Sequence, residues 1–170
     1  SPEGYVMALK GCNLGNWLVL EMWMLDQVTG KLNDQYTFES VLEERFGNDK
    51  KHKLMELYRE NWLTEKDFET VRSFGMNTVR LPFQYTILMD EDKPYSLRKD
   101  AWAWLDRAVQ WAGKNGLSVI LDLHGAPGRQ SGMDHTGRSN YNRLWKDKEY
   151  QDQTAWLWKE ISKHYINNPT

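Results

Sequence analysis

Four polar side chains lie near the carboxyl ends of three short apolar segments. Asn13 and Arg80 belong to the first two segments, and Asp122 and His124 end the third. An arginine can hold a carboxylate in its ionised form through two parallel hydrogen bonds, and a histidine can donate to a sugar hydroxyl or a catalytic carboxylate. If the segments are parallel strands, their carboxyl ends bring these groups to one face, where α/β enzymes hold their sites.

Each of these side chains also has a plainer structural interpretation. Asp122 could simply form an ion pair with Arg80 at the rim of a sheet, and His124 could be a hydrogen-bonded structural residue. Polar groups that converge from three separate segments indicate a site more strongly than any one of them does.

Glu21 is the only charged residue in the apolar run of residues 17–25. Burying a carboxylate without a partner is costly, so this position needs a partner or a ligand. Glu21 could accept hydrogen bonds from a terminal sugar, or it could begin a helix or form an ion pair. Trp17, nearby, has a flat apolar face that suits a sugar ring, although core packing is the commoner role of a single tryptophan.

The glycine-rich loop of residues 125–137 carries Asp134 and His135. It lacks the GxxxxGK[ST] pattern of a phosphate-binding loop, and no GxGxxG turn follows the first strand. The spacing of His124, Asp134 and His135 matches no standard zinc pattern. We therefore expect no metal and no cofactor, and a nucleotide-dependent doubly wound protein is the least favoured alternative.

The composition is that of a globular domain without a nucleic-acid or membrane surface. The chain has 170 residues and a formal net charge of −2, with its basic residues spread along the sequence. No apolar run approaches the length of a membrane span. Cys12 is the only cysteine, which excludes an intrachain disulfide, and the opening residues show no signal peptide.

Hydrophobic periodicity predicts strands and helices in alternation. The predicted strands are residues 5–13, 78–82 and 117–123, and the predicted helices are residues 37–46, 49–62, 65–74, 98–115 and 147–165, with a loop at 26–36. Thr64 and Asp67 resemble a capping box. The alternation favours parallel strands with right-handed crossovers in an α/β fold. A doubly wound sheet and part of a barrel both fit three strands. A whole barrel does not fit, because eight strands need roughly 250 residues.

Four sequence motifs carry a family resemblance. They are residues 10–21 (KGCNLGNWLVLE), 74–82 (FGMNTVRLP), 121–132 (LDLHGAPGRQSG) and 168–169 (NP). In this order they resemble the first three strand motifs, and the lead into the fourth strand, of glycoside hydrolase family 5 in its exo-β-1,3-glucanase branch.

The resemblance implies a TIM (β/α)8 barrel, of which residues 1–170 form the N-terminal part of a single catalytic domain, about three to four β/α units. It also implies a retaining mechanism with two glutamates, at the ends of strands four and seven. Neither lies in this chain, and the acid/base segment is expected about ten residues beyond Thr170.

The resemblance also assigns roles to residues of this chain. Arg80 matches the arginine that supports the nucleophile, and His124 matches the active-site histidine. Glu21 matches the acidic residue that contacts the sugar in the terminal subsite of the exo-acting branch.

The match is looser in the loop after the third strand. Asp134 matches a loop aspartate, although Met133 and His135 replace the residues expected around it. Asn13 and Trp17 complete the expected substrate-binding set.

The expected partners are a β-glucan or oligosaccharide substrate and the missing C-terminal half of the barrel, with no nucleic acid and no membrane. Because polymeric glucans lie outside cells, the protein is expected to be secreted. Two alternatives stay open: an endo-β-1,4-glucanase of the same family, and a non-catalytic carbohydrate-binding protein. In the latter the stacking platforms would be Trp17, Trp23, Tyr85 and Trp145.

Residues 1–170 are expected to have no glycosidase activity by themselves, because retaining chemistry needs two carboxyl groups about 5 Å apart. They are also expected to need the rest of the barrel, since a partial barrel leaves parallel edges exposed. Turnover of laminarin or a chromogenic β-glucoside by the purified segment would contradict the first expectation. A monomeric segment that unfolds cooperatively would contradict the second.

Overall fold

The computed structural model describes residues 8–25 and 32–170. Its parallel sheet has the order β1-β2-β3, with β1 at Gly11–Asn13, β2 at Thr78–Gln84 and β3 at Ser118–Gly125. The helices are α1 (Gln35–Phe46), α2 (Asn48–Trp62), α3 (Glu65–Ser73), α4 (Ala103–Lys114) and α5 (Lys148–Tyr165). Short 3₁₀ turns occur at Met22–Leu25, Tyr85–Ile87 and Asp134–Thr136.

The central strand β2 separates an apolar face of the sheet from a polar one. Val79 and Phe83 are fully buried in one core with Phe68 of α3 and Leu105 of α4. Because successive side chains of a strand point to opposite faces, Arg80 lies on the side away from that core. The same alternation that buries the helix-facing side of the sheet therefore presents its polar residues on the other side.

The prediction that Pro82 ends the second strand is wrong, because β2 continues through it to Gln84. Regular pairing between β1 and β2 ends at Asn13 and Arg80, so the residues that follow β1 pair with β2 only at intervals. Leu14 donates its N–H to Arg80 O, and the next such bond runs from Gln84 N to Leu18 O. The nitrogen of Pro82 points toward the same segment, between these two hydrogen bonds. Proline has no N–H to donate there, so it interrupts neither bond.

Other boundaries shift for local reasons. β3 continues to Gly125 and therefore includes His124. α4 begins at Ala103 rather than near Arg98, because Arg98 donates its N–H back to Leu88 O before the helix starts.

Two predictions near the amino end fall partly on residues outside the described ranges. Of the predicted strand 5–13, Gly11–Asn13 is a strand, and residues 5–7 lie outside. The predicted loop of residues 26–36 is described only in part, and α1 begins within it at Gln35.

Helix α3 begins with the predicted capping box, in which aspartate takes the place of the usual Glu or Gln. The backbone N–H of Thr64 donates to Asp67 Oδ2 at 2.7 Å, and the Thr64 hydroxyl donates to the same oxygen at 2.9 Å. Phe68, the next residue, is fully buried. The cap therefore fixes the point at which α3 enters the core.

Replacing Asp67 with alanine removes both of these hydrogen bonds. We expect the free energy of unfolding of the intact protein to fall by about 1 kcal/mol, measured by urea unfolding. Asp92→Ala, in the exposed loop after β2, is the matched control and should stay within about 0.5 kcal/mol of the wild type. Unchanged stability of Asp67→Ala would show that the cap contributes nothing.

Candidate active site

A continuous chain of polar contacts crosses the carboxyl ends of the three strands. Arg80 Nη1 donates to Asn13 Oδ1 at 3.2 Å, and Arg80 Nη2 donates to Asp122 Oδ2 at 2.5 Å. His124 Nδ1 lies 2.8 Å from the same Asp122 oxygen, and His135 Nδ1 lies 3.3 Å from His124 Nε2. The four residues predicted at the strand ends therefore meet, and His135 joins them from the following loop.

The strand register explains why these side chains meet. Asn13 pairs directly with Arg80, and Arg80 pairs with Ile120. Asp122 is two residues further along β3 and therefore lies on the same face as Ile120. The long side chain of Arg80 spans that step toward the carboxyl end of the sheet.

The contacts around Asp122 orient the ring of His124. Three atoms form a small triangle, since Arg80 Nη2 lies 2.5 Å from Asp122 Oδ2 and 3.2 Å from His124 Nδ1, which in turn lies 2.8 Å from Oδ2. A guanidinium only donates, and an ionised carboxylate only accepts. The arrangement is satisfied when Arg80 and His124 Nδ1–H both donate to Asp122 Oδ2. His124 Nε2 and His135 Nδ1, 3.3 Å apart, form a second contact in which one nitrogen donates and the other accepts.

The pair of Arg80 and Asp122 orients the site more than it stabilises the fold. The two side chains are 36% and 26% exposed, and ion pairs at such positions contribute about 0–1 kcal/mol. The ion-pair interpretation of Arg80 is therefore correct, and it is compatible with a role in the site. A guanidinium has five N–H donors, and the hydrogen bonds to Asn13 and Asp122 leave others for a ligand.

Glu21 is held in place by two neighbours. Trp23 Nε1 donates to Glu21 Oε2 at 2.9 Å, and the backbone N–H of Glu21 donates to Asn16 Oδ1 at 2.7 Å. Asn16 is fully buried with a positive φ of 58°, and its amide donates to Tyr58 Oη at 3.1 Å. Because no described residue bonds to Glu21 Oε1, this half-buried carboxylate retains an acceptor for a ligand.

The prediction that Trp17 contacts the substrate is wrong. Its side chain is 0% exposed, its ring stacks on Trp111 at 6.2 Å, and Trp104 meets it edge-on at 6.1 Å. Its indole N–H donates to Arg59 O at 2.9 Å. Trp17 is therefore a core residue, because the apolar run that contains it turns inward to be covered by α2 and α4.

The other three candidate stacking platforms differ in exposure. Tyr85 is buried, with its hydroxyl donating to Glu91 at 2.6 Å, so it offers no open face. Trp23 and Trp145 are 61% and 69% exposed.

The loop after β3 is anchored at both of its ends. The side chain of Gln130 accepts from Ala126 N at 3.1 Å and donates to His124 O at 2.5 Å. At the far end, Ser139 N donates to Asp34 Oδ2 at 2.8 Å. Between these anchors, Asp134 begins the 3₁₀ turn that carries His135, and its side chain bonds to no other described residue.

Asp34 connects this loop to helix α1. It is the N-cap of α1, where Oδ1 accepts the N–H of Thr37 at 2.7 Å, while Oδ2 accepts that of Ser139. Burial by itself would raise the pKa of Asp34, but the hydrogen bonds from Thr37 and Ser139 outweigh it and hold the pKa below its usual value.

Asp34, Asn16 and Gln130 support the site, and sequence reasoning missed all three. An aspartate just before a predicted helix is a recognisable N-cap signal, so Asp34 could have been found. Asn16 and Gln130 have no such signal, because their roles depend on groups that only the folded chain brings near.

Within residues 8–25 and 32–170, no three His, Cys, Asp or Glu side chains converge as metal ligands would. In the same ranges, no helix combines the length and the apolar character needed to cross a bilayer.

The fold is that of the β/α-barrel enzymes. The crystal structure of rutinosidase from Aspergillus niger aligns with a TM-score of 0.77 over 94% of this chain and 44% of that protein, at 19% identity. The crystal structure of AoRut aligns equally well, at 23% identity. At these identities the likeness shows the fold alone. The prediction of an N-terminal portion of a (β/α)8 barrel is confirmed, with the helices outside and the polar face of the sheet inside.

The chain belongs to glycosyl hydrolase family 5. Residues 41–170 match the family described as Cellulase (glycosyl hydrolase family 5), which confirms the resemblance seen in the motifs. The Glucan 1,3-beta-glucosidase of Blumeria graminis is 38% identical over 138 residues, 77% of this chain and 31% of that protein. The Probable glucan 1,3-beta-glucosidase A of Aspergillus clavatus is 34% identical over 162 residues, 93% of this chain and 37% of that protein.

A further relative has a different name. The Beta-xylosidase of Phanerodontia chrysosporium is 30% identical over 167 residues, 98% of this chain and 34% of that protein. The chain thus spans about a third of the length of the curated relatives it matches.

The anchor at Asp34 predicts a pH-dependent contribution to stability. Because its pKa is lower in the folded state, the stabilisation is fully present above the unfolded-state value of about 3.9 and is lost as the pH falls through the folded-state value. Asp34→Asn can still accept from Thr37 but not also from Ser139. We expect its free energy of unfolding to be about 1–2 kcal/mol lower than that of the wild type at neutral pH. This difference should shrink below about pH 4.

Urea unfolding of the intact protein from about pH 7 to pH 3 measures this difference. Asp49→Asn, in the exposed first turn of α2, is the matched control and should follow the wild type. A loss of stability that stays the same across this pH range would contradict the assignment.

Proposed function

We propose that the intact protein is a retaining β-glucan hydrolase that removes glucose from the ends of β-1,3-linked chains. The observation that carries this proposal is the polar chain from Asn13 through Arg80 and Asp122 to His124, at the carboxyl ends of three parallel strands. Membership of family 5, and two relatives named as glucan 1,3-beta-glucosidases, support it. Because the chain spans about a third of those relatives, the activity is proposed for the complete barrel.

In the proposed reaction, two glutamates expected outside this chain break and form the bonds. One donates a proton to the leaving oxygen while the other attacks the anomeric carbon to give a covalent glycosyl-enzyme. A water molecule then loses a proton to the first glutamate and releases the sugar, with net retention of configuration. Arg80 holds the attacking glutamate ionised through its remaining N–H donors, and Asp122 fixes the orientation of Arg80.

The exo-acting mode rests on Glu21. The indole N–H of Trp23 donates to one carboxylate oxygen of Glu21. The other oxygen accepts hydrogen bonds from hydroxyl groups of the terminal glucosyl unit. A chain end presents hydroxyl groups that a continuing polymer has used in its next linkage, so a carboxylate here favours ends over internal units.

A second candidate comes from the description of the matching family as Cellulase. On that reading the complete barrel is an endo-β-1,4-glucanase, and Glu21 contacts an internal unit. A non-catalytic carbohydrate-binding protein on the same scaffold would bind glucans without cleaving them.

We also propose that the protein acts outside the cell, because its proposed polymeric substrate lies there. Its proposed partners are the glucan itself and the remainder of the barrel. Neither nucleic acid nor a membrane is proposed as a partner.

The deciding experiment follows the products of the intact protein by NMR. On laminari-oligosaccharides we expect glucose as the first product, with the β-anomer appearing before mutarotation. Cello-oligosaccharides should be cleaved much more slowly. Internal cleavage of β-1,4 chains would favour the second candidate, and glucan binding without any turnover would favour the non-catalytic protein.

Replacing Glu21 with glutamine tests the terminal contact. The amide turns an ionised acceptor into a neutral group, so we expect kcat/KM for laminaribiose to fall about ten- to a hundredfold. Glu44→Gln, on the exposed side of α1, is the matched control and should leave the kinetics unchanged. Wild-type kinetics of Glu21→Gln would remove the basis for an exo-acting site at this carboxylate.

A further inference from the structure

Arg129 is a buried cation whose side chain lacks a hydrogen-bond partner among the described residues. Its side chain is only 3% exposed, and its Nη1 atom is buried with no acceptor. The guanidinium lies over the ring of Tyr85, 4.8 Å from the ring centre. A cation–π contact offsets only part of the cost of removing a charge from water. Arg129 therefore still needs an acceptor.

The backbone of the β3 loop holds Arg129 in this position. Its φ of 56° lies in the left-handed region, which is strained for a residue other than glycine. Arg129 N donates to Ala126 O at 2.9 Å, and Leu144 N donates to Arg129 O at 3.2 Å. These two hydrogen bonds fix the inward direction of the side chain against the cost of the strain.

Arg129 lines a cavity of about 250 Å³ between α1, the end of β2 and the β3 loop. Other parts of its wall are Gln84 and Thr86, which follow along β2, and the carboxylates of Glu39 and Glu91. None of the described residues of the candidate active site lines this cavity. Its volume is several times the roughly 30 Å³ of one water molecule, so it admits a small organic ligand.

The two carboxylates in the wall each keep one oxygen available. Glu39 Oε1 accepts from Gln35 Nε2 at 2.5 Å, and Glu91 Oε1 accepts from the Tyr85 hydroxyl at 2.6 Å. Within the described part of the chain, the Oε2 atom of neither carboxylate has a donor, and neither carboxylate forms an ion pair with Arg129. The cavity thus combines a donor without an acceptor and two acceptors without donors.

The charges around the cavity select a neutral ligand. Lys51 and Glu43 also line it, but they neutralise each other in an ion pair of 2.7 Å. Arg129 repels a cation, while Glu39 and Glu91 repel an anion. A hydroxyl group is neutral and both donates and accepts a hydrogen bond, so a ligand with several hydroxyl groups can satisfy all three side chains at once.

We propose that this cavity is a second carbohydrate-binding site, which takes one neutral pyranose unit. One sugar hydroxyl accepts from Arg129, and others donate to Glu39 and Glu91. The proposal goes beyond the proposed hydrolysis and does not depend on it, because the cavity is separate from the candidate active site. A free monosaccharide and the end of a glucan chain present the same hydroxyl groups, so both are tested.

Three substitutions in the intact protein test the contacts. Arg129→Gln removes the buried charge, and we expect glucose to bind at least about tenfold more weakly. Glu39→Gln and Glu91→Gln each replace an ionised acceptor and should weaken binding about three- to tenfold while leaving Arg129 in place. Arg45→Gln, at the exposed end of α1, is the matched control and should bind like the wild type.

The unfolding midpoint separates a binding role of Arg129 from a structural one. Because the charge is buried without a partner, Arg129→Gln should unfold at the same or a higher temperature than the wild type when no sugar is present. Glucose should raise the midpoint of the wild type and raise that of the variant less. If Arg129→Gln does not fold, the charge is structural at this position, and unchanged binding by both glutamine variants of the carboxylates would then overturn the proposal.

A site-specific readout uses arginine labelled with nitrogen-15 in its guanidinium group. Glucose should shift the Arg129 Nε–H signal saturably in the wild type, with the signal assigned by its loss in Arg129→Gln. Laminaritriose should produce the same shift if the site takes chain ends, and no shift if it takes only free sugar. Glucuronate and glucosamine, which carry opposite charges, should bind more weakly than glucose. Tighter binding of either one, or no shift with glucose and laminaritriose, would overturn the proposal.

Glu21→Gln keeps this test apart from the proposed catalysis. It should lower the rate of hydrolysis and leave the response of Arg129 to glucose unchanged. Loss of the response in Glu21→Gln would show that the sugar acts through the candidate active site, which contradicts a separate site. Hydrolysis without a response at Arg129 would remove this inference alone, whereas a response without hydrolysis would support it and remove only the proposed catalytic function.

Discussion

The parallel register between β2 and its two neighbours is the constraint on which the site depends. It sets Asn13 beside Arg80 and places Asp122 one step further along the same face. A shift of one residue would turn Arg80 into the helix-facing core and bring Leu81, now fully buried, to the polar face. The core and the site are thus two consequences of one alternation, and neither can be changed without the other.

A second set of contacts holds the loops against this sheet. Asp34 begins α1 and binds the loop that carries His135, so the helical segment between β1 and β2 also supports the end of the β3 loop. Trp17 contributes from within the core, where it joins α2 to α4 through its ring and its N–H. The site therefore rests on packing between segments that are far apart in the sequence.

Much of this arrangement could be predicted from local patterns. The helices and strands follow hydrophobic periodicity, and the capping box of α3 follows from Thr64 and Asp67 three residues apart. Arg80, Asp122 and His124 could be assigned to one face because strand alternation and parallel order place the carboxyl ends of strands together. These inferences need only the chain itself, since each rests on residues close in sequence or on a general rule of β/α folds.

Tertiary structure decided which side chains actually touch. Asp122 lies 42 residues from Arg80, and Ser139 lies 105 residues from Asp34, so no local pattern records these contacts. The burial of Trp17, and the contact of His135 with His124, likewise depend on how α2, α4 and the β3 loop pack. Periodicity determines which face of an element is apolar, whereas the partner of a polar or aromatic side chain is determined by packing in three dimensions.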